Sequence, residues 1–498
     1  MFNRRQFLTT SAAAAFPFII PSRVLGAEAP SKLVRVGIIG CGRISTGFEI
    51  PNLMKQPGLC RIVAVCDLDE KRLLNAKEKI ETGYRKGLKI AGYTVATYKD
   101  YRELCASKDV DAVMVCTPDF WHALCAAEAL CNRKALWLQK PFTQTIREGR
   151  LIANLAKKYN AVVQVGSQQR SDHQFREACE IARNGLLGKV TRVEVGIACD
   201  KPGGSDAVQP VPSTFDYATW LGPTDPTAPY CESRTHSQSG YGRPGWITMA
   251  PYGWGMITNW GAHHIDITQG GLGTTLTGPT QVSGTCEWMD RSGGKLWNVH
   301  TGYDLHYTYG DIDVHLCNKY WKGVKFIGEK GDWIFVRREM LKKVTSSDGG
   351  QDDPSKKRKN RKPRDMRALI SNREDLLARV ADWNSPLLCL KDDRATKLKV
   401  STNHFVNWLE AVRAEDPSAT VTNAEEGHRS TSACSLGHMV MELGRGKAEG
   451  ASITWDPVKE TTGRADADAL MTPFARDQFD LRKTLARFGL DFDREVRG

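Results

Sequence analysis

The sequence contains no CxxC pair, although it has 14 cysteines. Cysteine pairs at that spacing are typical of zinc sites, haem attachment and redox dithiols, so the sequence gives no support to those three classes of site. Several cysteines stand inside apolar runs, among them Cys66, Cys116, Cys125 and Cys434. We therefore expect most cysteines to be small buried hydrophobic residues, and the sequence leaves room for one or two disulfides without assigning their pairing.

Long apolar runs are missing after the first 29 residues, and internal repeats and a basic stripe with interleaved aromatic residues are missing throughout. These absences exclude a multi-span membrane protein, a repeat array and a nucleic-acid-binding surface. The net charge of +12 includes the basic residues in 345–365, which we interpret as a solvated loop insertion. With 41% apolar residues in a chain of 498, we expect two domains plus appendages.

The first 29 residues are typical of an export signal. Arg4 and Arg5 precede an apolar stretch that ends near Ile20, and small residues follow at a predicted cleavage point. Because Phe7 and Leu8 come next, the arginine pair resembles the bacterial twin-arginine signal; an unrelated pair in an ordinary signal is the alternative. We expect the twin-arginine machinery to export the folded protein, which predicts a periplasmic location.

A glycine turn follows the first predicted strand. Residues 33–39 are rich in β-branched side chains and lead into Gly40 and Gly42, after which a helical pattern begins. Gly40 would allow a tight turn, and Gly42 would let the backbone approach a pyrophosphate, whose charge the first N–H groups of the helix can hold. The third glycine position of the usual fingerprint is occupied by Ser45, which is small enough for close packing.

A second apolar strand, residues 61–66, ends on Asp67. A carboxylate at this place can accept hydrogen bonds from the adenosine ribose and repels a 2′-phosphate, which favours NAD over NADP; a helix-capping role is the alternative. Further buried strands between residues 110 and 165 alternate with helical patterns. This alternation predicts a doubly wound parallel sheet over residues 33–166, with a ligand at the carboxyl ends of its strands.

The pattern changes in the second half of the chain. Alternating stretches after residue 189 predict a half-exposed sheet, and helical spacing returns at 404–413 and 425–443. Residues 200–255 are rich in aromatic residues, which suit either the face of a sugar or packed loop anchors.

Several motifs occur in the order found in one known family. They are Gly37-x-x-Gly40-x-Gly42, Thr117-Pro118 followed by His122, Gln139-Lys140-Pro141, Asn259-x-Gly261-x-His263-x-x-Asp266, and Glu426-Gly427-His428. Over about residues 33–460 the chain resembles the Gfo/Idh/MocA oxidoreductases, and the last motif is similar to one in their exported branch that acts on sugars. The resemblance implies an α/β fold: an NAD-binding Rossmann domain (33–166), then a C-terminal α/β domain with an open mixed sheet for substrate and oligomer contacts (167–460), then an extension (461–498).

The resemblance also implies the site residues. The cofactor-binding positions would be Gly37, Gly40, Gly42, Arg43, Ile44, Asp67, Thr117, Pro118, His122, Gln139 and Lys140. Lys140 would contact the nicotinamide ribose and the substrate hydroxyl, and a lysine desolvated beside a cationic nicotinamide has a lowered pKa that suits a proton acceptor. His263 would be the partner acid/base, oriented by Asn259. The alternatives are a solvated charge at Lys140 and a core histidine at His263.

Two positions depart from the family pattern. Asn259 stands where many members have Asp, and Gln139 stands where they have Glu. Because an amide cannot stabilise an imidazolium as a carboxylate does, we expect proton transfer to depend more on Lys140.

We predict substrate contacts for Gln168, Arg170, His264 and Asp266, with surface positions in a turn as the alternative for the first two. The grouping of His263, His264 and Asp266 also allows a metal cluster. We predict no metal site, because these residues have no further spaced ligand.

The predicted function is an NAD-dependent oxidoreductase that moves a hydride between a nicotinamide and a ring or chain hydroxyl of a sugar or glycoside. Because an exported protein meets no renewable NAD pool, we expect NAD to stay tightly bound and a second sugar to recycle it. The alternatives are an NAD-dependent glycoside hydrolase that works by transient C3 oxidation, elimination, hydration and reduction, and a non-catalytic nucleotide-dependent sugar-binding protein. We expect a homo-oligomer formed through the C-terminal sheet and no nucleic-acid partner.

Overall fold

The structure, a computed structural model, describes residues 33–201, 205–289, 296–338, 368–373, 375–376 and 396–498. The predicted export signal at 1–29 and the predicted basic insertion at 345–365 lie outside these residues. The described chain forms two β-sheets covered by helices.

The first sheet has six parallel strands in the order β3-β2-β1-β4-β5-β6. The strands are β1 (Val34–Ile39), β2 (Cys60–Cys66), β3 (Ala96–Tyr98), β4 (Ala112–Val115), β5 (Ala135–Leu138) and β6 (Val163–Val165). The connecting helices are α1 (Ile50–Met54), α2 (Glu70–Gly87), α3 (Tyr101–Ala106), α4 (His122–Cys131) and α5 (Ile146–Lys158). Strands covered on both faces read as continuous apolar runs, and β4 is buried at every position. The predicted doubly wound parallel sheet is confirmed.

Helices cover both faces of this sheet. On α2, Leu73, Ala76 and Ile80 recur at helical spacing and are buried on one face, whereas α4 is buried along its whole length on the other. The helix α10 (His404–Ala414), from the C-terminal half of the chain, packs on the same face as α2. There the ring of Phe405 stacks on the ring of Trp137, with 4.7 Å between the ring centres. The core of the first domain is therefore completed by residues far along the chain.

The second sheet has eight strands in the order β13-β12-β11-β7-β10-β9-β8-β14. They are β7 (Val190–Gly196), β8 (Gln281–Trp288), β9 (His300–Tyr309), β10 (Ile312–Cys317), β11 (Gly323–Gly328), β12 (Trp333–Arg337), β13 (Ala368–Ser371) and β14 (Ala451–Thr454). The pair β7–β10 is parallel and the other pairs are antiparallel, so the predicted mixed sheet is confirmed.

One face of the second sheet packs against α6 (His173–Arg183), α9 (Gly261–Leu272) and α11 (Ala424–Leu443). Leu305 and Tyr307 of β9 are buried, whereas Asp304, the residue before Leu305, is exposed. This is the alternation of buried and exposed side chains that the sequence predicts for a half-exposed sheet. The remaining helices are α7 (Tyr217–Trp220), α8 (Met256–Asn259), α12 (Ala465–Ala469), α13 (Leu481–Ala486) and α14 (Phe492–Arg497).

The cysteines within the described ranges are free thiols, and most of them are buried. This agrees with the prediction that they are small hydrophobic residues. Among the helices that the structure describes, none combines the length and the apolar character needed to span a bilayer.

Candidate active site

A cleft of about 390 Å³ opens at the carboxyl ends of the parallel strands. Its first wall comes from the first domain and includes Gly40, Gly42, Arg43, Ile44, Asp67, Arg72, Thr117, Pro118, Asp119, His122, Gln139 and Lys140. Its second wall includes Asp216, Thr219, Trp220, His236, Gly242, Pro244, Trp246, Ile247 and Asn259, with Gln478 and Phe479 from the C-terminal extension. Every predicted cofactor residue except Gly37 lines the cleft.

The three glycines of the first motif have different tasks. Gly40 has a φ of +92°, and a Cβ there would lie 2.7 Å from the carbonyl oxygen of Cys116, so only glycine fits the turn. A Cβ at Gly42 would meet nothing within 4 Å, which leaves the backbone open to a ligand. Gly37 lies inside β1, where a Cβ would come 2.8 Å from Leu104 Cδ2. Gly37 therefore makes room for helix packing rather than for a cofactor.

Asp67 ends β2 and is held by backbone donors. Its carboxylate accepts hydrogen bonds from the N–H of Cys41 at 2.6 Å and of Asp69 at 2.8 Å. Burial raises the pKa of Asp67, and these two hydrogen bonds oppose that shift. The open backbone at Gly42 and this strand-end carboxylate fit a dinucleotide, with the carboxylate available to ribose hydroxyls.

Lys140 joins the two walls. Its Nζ donates a hydrogen bond to the carbonyl oxygen of Asn259 at 3.1 Å. Burial lowers the pKa of Lys140; the charge of Asp119 opposes this shift, and Arg243, Arg338 and Arg43 strengthen it. A lysine in this setting can exist in the neutral form that accepts a proton.

His122 fixes the position of the Lys140 loop. Its Nδ1 lies 2.7 Å from the carbonyl oxygen of Pro141, and its Nε2 lies 3.2 Å from that of Thr117. Burial lowers the pKa of His122 to about 4, so the imidazole is neutral. His122 therefore links the ends of β4 and β5 and acts as a positioning residue.

His263 is buried on α9, and its Nδ1 has no hydrogen-bond partner among the described residues. Burial lowers the pKa of His263 well below its usual value, and the charge of Lys140 acts in the same direction. The ring is therefore neutral, and His263 lies outside the residues that line the cleft. The Oδ1 of Asn259, which we expected to orient His263, accepts instead from Arg243 Nη2 at 3.2 Å.

The predicted substrate contacts lie outside the residues that line the cleft. Arg170 and Asp266 form a two-pronged ion pair, with Nε–Oδ2 at 2.7 Å and Nη2–Oδ1 at 2.8 Å. His264 Nδ1 lies 2.9 Å from the carbonyl oxygen of Gly196 and ties α9 to β7. Gln168 is half-buried in a short helical turn. Arg170, Asp266 and His264 thus use polar groups for contacts within the protein. Contact with a substrate stays a prediction for all four residues.

Sequence reasoning missed two acids. Asp119 lines the cleft beside Lys140; burial raises the pKa of its carboxyl, and the charges of Lys140 and Arg243 oppose the shift. Glu49 accepts a hydrogen bond from Gln139 Nε2, and burial raises the pKa of Glu49 to about 8. Asp119 stands inside the Thr117–His122 motif and could have been found there, whereas no sequence signal connects Glu49 to Gln139.

The aromatic residues of segment 205–255 are mainly loop anchors. Trp220, Tyr230, Tyr252 and Trp254 are buried, and Trp121 Nε1 donates to the carbonyl oxygen of Trp220 at 3.0 Å. Trp246 is half-buried and lines the cleft. These rings therefore fasten the second wall to the first domain.

Similar proteins agree with this architecture. The chain is 30% identical over 156 residues to the myo-inositol 2-dehydrogenase of Thermotoga maritima, which covers 31% of this chain and 42% of that protein. It is 33% identical over 165 residues to a glycosyl hydrolase family 109 protein of Shewanella sp., which covers 30% of this chain and 35% of that protein. The chain thus spans less than half of the length of these curated relatives.

The solved structure of an aldose-aldose oxidoreductase from Caulobacter crescentus shares the fold, with a TM-score of 0.51 at 15% identity over 85% of this chain and 99% of that one. The Gfo/Idh/MocA model described as "Oxidoreductase family, NAD-binding Rossmann fold" matches residues 34–167. The model described as "Oxidoreductase family, C-terminal alpha/beta domain" matches residues 201–314. With both domains and the first-wall motifs in place, the chain belongs to the Gfo/Idh/MocA oxidoreductase family.

Proposed function

We propose that the protein is an NAD-dependent oxidoreductase that transfers a hydride between a bound nicotinamide and a hydroxyl-bearing carbon of a sugar or glycoside. The observation that carries this proposal is Lys140, a half-buried amine with a lowered pKa at the junction of the two walls. A residue of this kind beside a dinucleotide cleft suits oxidation of an alcohol, in which the hydroxyl proton must leave with the hydride.

The bound NAD would supply the hydride acceptor, and the residues of the chain would manage the proton. Neutral Lys140 accepts the proton of the substrate hydroxyl at Nζ, because its surroundings favour the uncharged amine. His263 is neutral with a buried Nδ1 that has no hydrogen-bond partner among the described residues, and because its pKa is strongly lowered we assign proton acceptance to Lys140. His122 keeps the Lys140 loop in place throughout.

NAD is preferred to NADP in this proposal because of Asp67. The carboxylate at the end of β2 repels a 2′-phosphate, and Cys41 and Asp69 hold it in place. Arg72, which also lines the cleft, is engaged by the carbonyl oxygens of Ser237 and Gly240.

Tight retention of the nucleotide is supported by contacts that hold the second wall against the first domain. Asp69 pairs with Phe215 in a β-bridge, and Asp69 Oδ2 accepts a hydrogen bond from His236 Nε2 at 2.8 Å. Arg72 lies 4.5 Å from the ring centre of Tyr241. A nucleotide in the cleft would leave only after such contacts open.

We include export by the twin-arginine pathway and a homo-oligomer formed through the second sheet in the same proposal.

The test begins with purified protein. Mass spectrometry of the nucleotide released on denaturation is expected to show NAD in near-stoichiometric amount. Sugars and glycosides are then screened for a change in nicotinamide absorbance in the undenatured protein. Protein that carries no nucleotide, binds added NAD weakly and gives no absorbance change with any sugar contradicts the proposal.

A glycoside hydrolase that uses the same hydride step transiently is the second candidate, favoured by the similarity to a glycosyl hydrolase family 109 protein. Oxidation at C3 makes the C2 proton acidic, so the glycosidic bond can break by elimination; water then adds and the ketone is reduced. A glycoside deuterated at C3 separates the two candidates. Net hydrolysis without accumulated keto-sugar supports the hydrolase, and accumulated keto-sugar supports the oxidoreductase.

A further inference from the structure

We propose that Asp304, His306 and His315 form a binding site for a divalent transition metal of the zinc type on the open face of the second sheet. The other face, which carries Leu305 and Tyr307, packs against α6, α9 and α11. The three proposed ligands are not among the described residues that line the cleft. The inference therefore goes beyond the proposed function and does not depend on it.

The pairing of β9 with β10 brings the three side chains together. The two strands are antiparallel, and His306 lies directly opposite His315. Asp304 precedes His306 by two residues and therefore shares its face of the sheet. One metal-binding atom from each of the three residues lies within 4.8 Å of the other two. Because the strand ladder holds the backbone at these positions, the groups are assembled before an ion arrives.

Both histidines are oriented through Nδ1. His306 Nδ1 lies 2.9 Å from Asp313 Oδ1, and His315 Nδ1 lies 2.7 Å from Tyr320 Oη. A metal-binding histidine commonly uses one ring nitrogen for the ion and donates the other N–H to an oxygen, which fixes the ring. Asp313 and Tyr320 are placed for that supporting role, and Nε2 is the ligating atom of each ring.

The two Nε2 atoms face one carboxylate. Asp304 Oδ1 lies 2.6 Å from His315 Nε2 and 4.0 Å from His306 Nε2. Ligand atoms around a tetrahedral zinc ion are about 3.4 Å apart, which lies between these two distances. A shift of Oδ1 by less than about 1 Å, away from His315 and toward His306, would make them equal. The rings stack with 4.1 Å between their centres, and rotation toward each other would aim both Nε2 atoms at one ion.

The donor set selects the class of ion. Two imidazoles and one carboxylate suit zinc, copper or nickel, whereas calcium and magnesium prefer oxygen ligands alone. The side chains of Asp304 and His306 are 51% and 44% exposed, so an ion can reach the site from solvent. Three protein ligands leave the fourth position to a water molecule.

The charge of Arg192 opposes a bound cation without blocking it. Its Nη2 donates to His315 Nδ1 at 3.1 Å and to Tyr320 Oη at 2.8 Å, and its Nε lies 3.7 Å from Glu194 Oε1. When an ion replaces the proton on His315 Nε2, the ring proton moves to Nδ1 and is donated to Tyr320 Oη. The contact of Arg192 with Nδ1 must then open, while its bond to Tyr320 can remain. Glu194 and Asp304 offset the added charge.

The experiment uses the full chain without a histidine tag, treated with a chelator and dialysed. Titration with Zn²⁺ in a calorimeter is expected to show one equivalent bound per chain, and Ca²⁺ should bind at least about 100-fold more weakly. Cu²⁺ is then used as a spectroscopic probe. Its electron paramagnetic resonance spectrum should show two imidazole nitrogens on the ion.

His306→Gln and His315→Gln should each reduce the affinity for Zn²⁺ by about 100-fold or more, and the Cu²⁺ spectrum of each should keep one imidazole nitrogen. Asp313→Asn, which changes a supporting residue, should reduce the affinity by about 10-fold. Asp311→Asn is the matched control, because it removes an 84% exposed carboxylate next to β10, and it should bind Zn²⁺ as wild type does.

Thermal unfolding and light scattering are measured for each variant, because the proposed oligomer would use the same sheet. Zn²⁺ should raise the unfolding temperature of wild type and of Asp311→Asn but not of the two histidine variants. Equal affinity for Zn²⁺ in wild type and the histidine variants, or a Cu²⁺ spectrum without two imidazoles, would overturn the inference. An affinity loss confined to variants whose assembly has changed, or Ca²⁺ bound as tightly as Zn²⁺, would also overturn it.

Discussion

The two walls of the cleft enclose the same space but are built in opposite ways. In the first wall the functional groups stand at or within a few residues of strand carboxyl ends, so a parallel sheet alone brings them together. In the second wall the lining comes from segments as distant as Thr219, Asn259 and Phe479. The difference teaches that local sequence motifs position the groups predicted to bind cofactor and transfer protons. Contacts between distant parts of the chain are predicted to control how nucleotide and substrate enter and leave the cleft.

Lys140→Met tests the chemistry of the first wall and has the largest expected effect. A methionine keeps the approximate length of the side chain but cannot accept a proton, so kcat should fall by about 10³-fold. Nucleotide content should change little, since the contacts that Asp69 and Arg72 make with the second wall are untouched. The measurement is turnover of a reactive sugar together with mass spectrometry of the bound nucleotide.

The pH profile of the same variant adds a second readout. Because burial lowers the pKa of Lys140, the neutral amine forms at lower pH than in free lysine, and wild-type turnover should rise with pH through that lowered pKa and then level off. Lys140→Met should lack this rise. Lys55→Met, at an exposed position on the first domain, is the control and should keep both the rate and the profile. An unchanged rate in Lys140→Met would mean that a group other than Lys140 accepts the proton.

Asp67→Asn tests the cofactor specificity of the same wall. The amide removes the charge that repels a 2′-phosphate but keeps an oxygen for the N–H of Cys41, so the preference for NAD over NADP should fall by about 10- to 100-fold. Binding of both nucleotides to stripped protein provides the measurement. Asp109→Asn, whose side chain is 92% exposed, is the control. If Asp67→Asn still excludes NADP as wild type does, Asp67 only shapes the turn.

The first domain was predictable because its signals are local. The run from Val110 to Cys116 could be assigned to a central strand from its apolar side chains, and Gly40 could be assigned to a tight turn before its contact with Cys116 was seen. The packing of Phe405 on Trp137 could not be predicted, because the two residues are far apart in sequence. An apolar pattern shows that a helix face is buried but not which residues it packs against.

The same limit explains the site. Lys140 and Asp67 follow strands, so topology alone places them in the cleft. Arg170 and Asp266 were polar residues at plausible positions, yet each is the other's hydrogen-bond partner, and residue type does not distinguish a buried ion pair from a ligand contact. The hydrogen bond from Arg243 to Asn259 could not be predicted either, because only the folded chain brings these two side chains together.

Arg72→Gln tests whether the second wall controls release. The variant loses hydrogen bonds from Nη2 to the carbonyl oxygens of Ser237 at 2.7 Å and Gly240 at 2.9 Å, so bound nucleotide should dissociate about 10-fold faster. Lys71→Gln, which loses one bond to Gln238, should show a smaller effect in the same direction. Dissociation is followed by exchange with labelled NAD.

Arg85→Gln is the matched control for Arg72→Gln, since it changes an exposed arginine on the same helix. It should release nucleotide at the wild-type rate. Equal release rates in Arg72→Gln and Arg85→Gln would mean that the contacts of Ser237 and Gly240 do not restrain the cleft. There would then be no support for the view that the second wall retains the nucleotide while the first wall supplies the catalytic groups.

Asp69→Asn gives the smallest expected effect and links the retention of nucleotide to pH. Asp69 accepts from His236 Nε2 at 2.8 Å and from Gln238 Nε2 at 3.2 Å; burial favours a higher pKa, but these bonds outweigh it, and the pKa of Asp69 is lowered. A carboxylate with a lowered folded pKa stabilises the closed wall above its unfolded value of about 3.9, and that contribution is lost as pH falls through the folded pKa.

Wild-type protein should therefore release nucleotide a few-fold faster once the pH falls below about 4, while the fold remains as judged by circular dichroism. Asp69→Asn should release it faster at neutral pH and show no further acceleration from this group in acid, because the amide does not titrate there. Asp311→Asn, at a side chain that is 84% exposed, should behave as wild type. If Asp69→Asn still releases nucleotide faster in acid, the pH sensitivity must come from another group. The carboxyl of Asp67 in the first wall, which accepts a hydrogen bond from the N–H of Asp69, would then be the group to test.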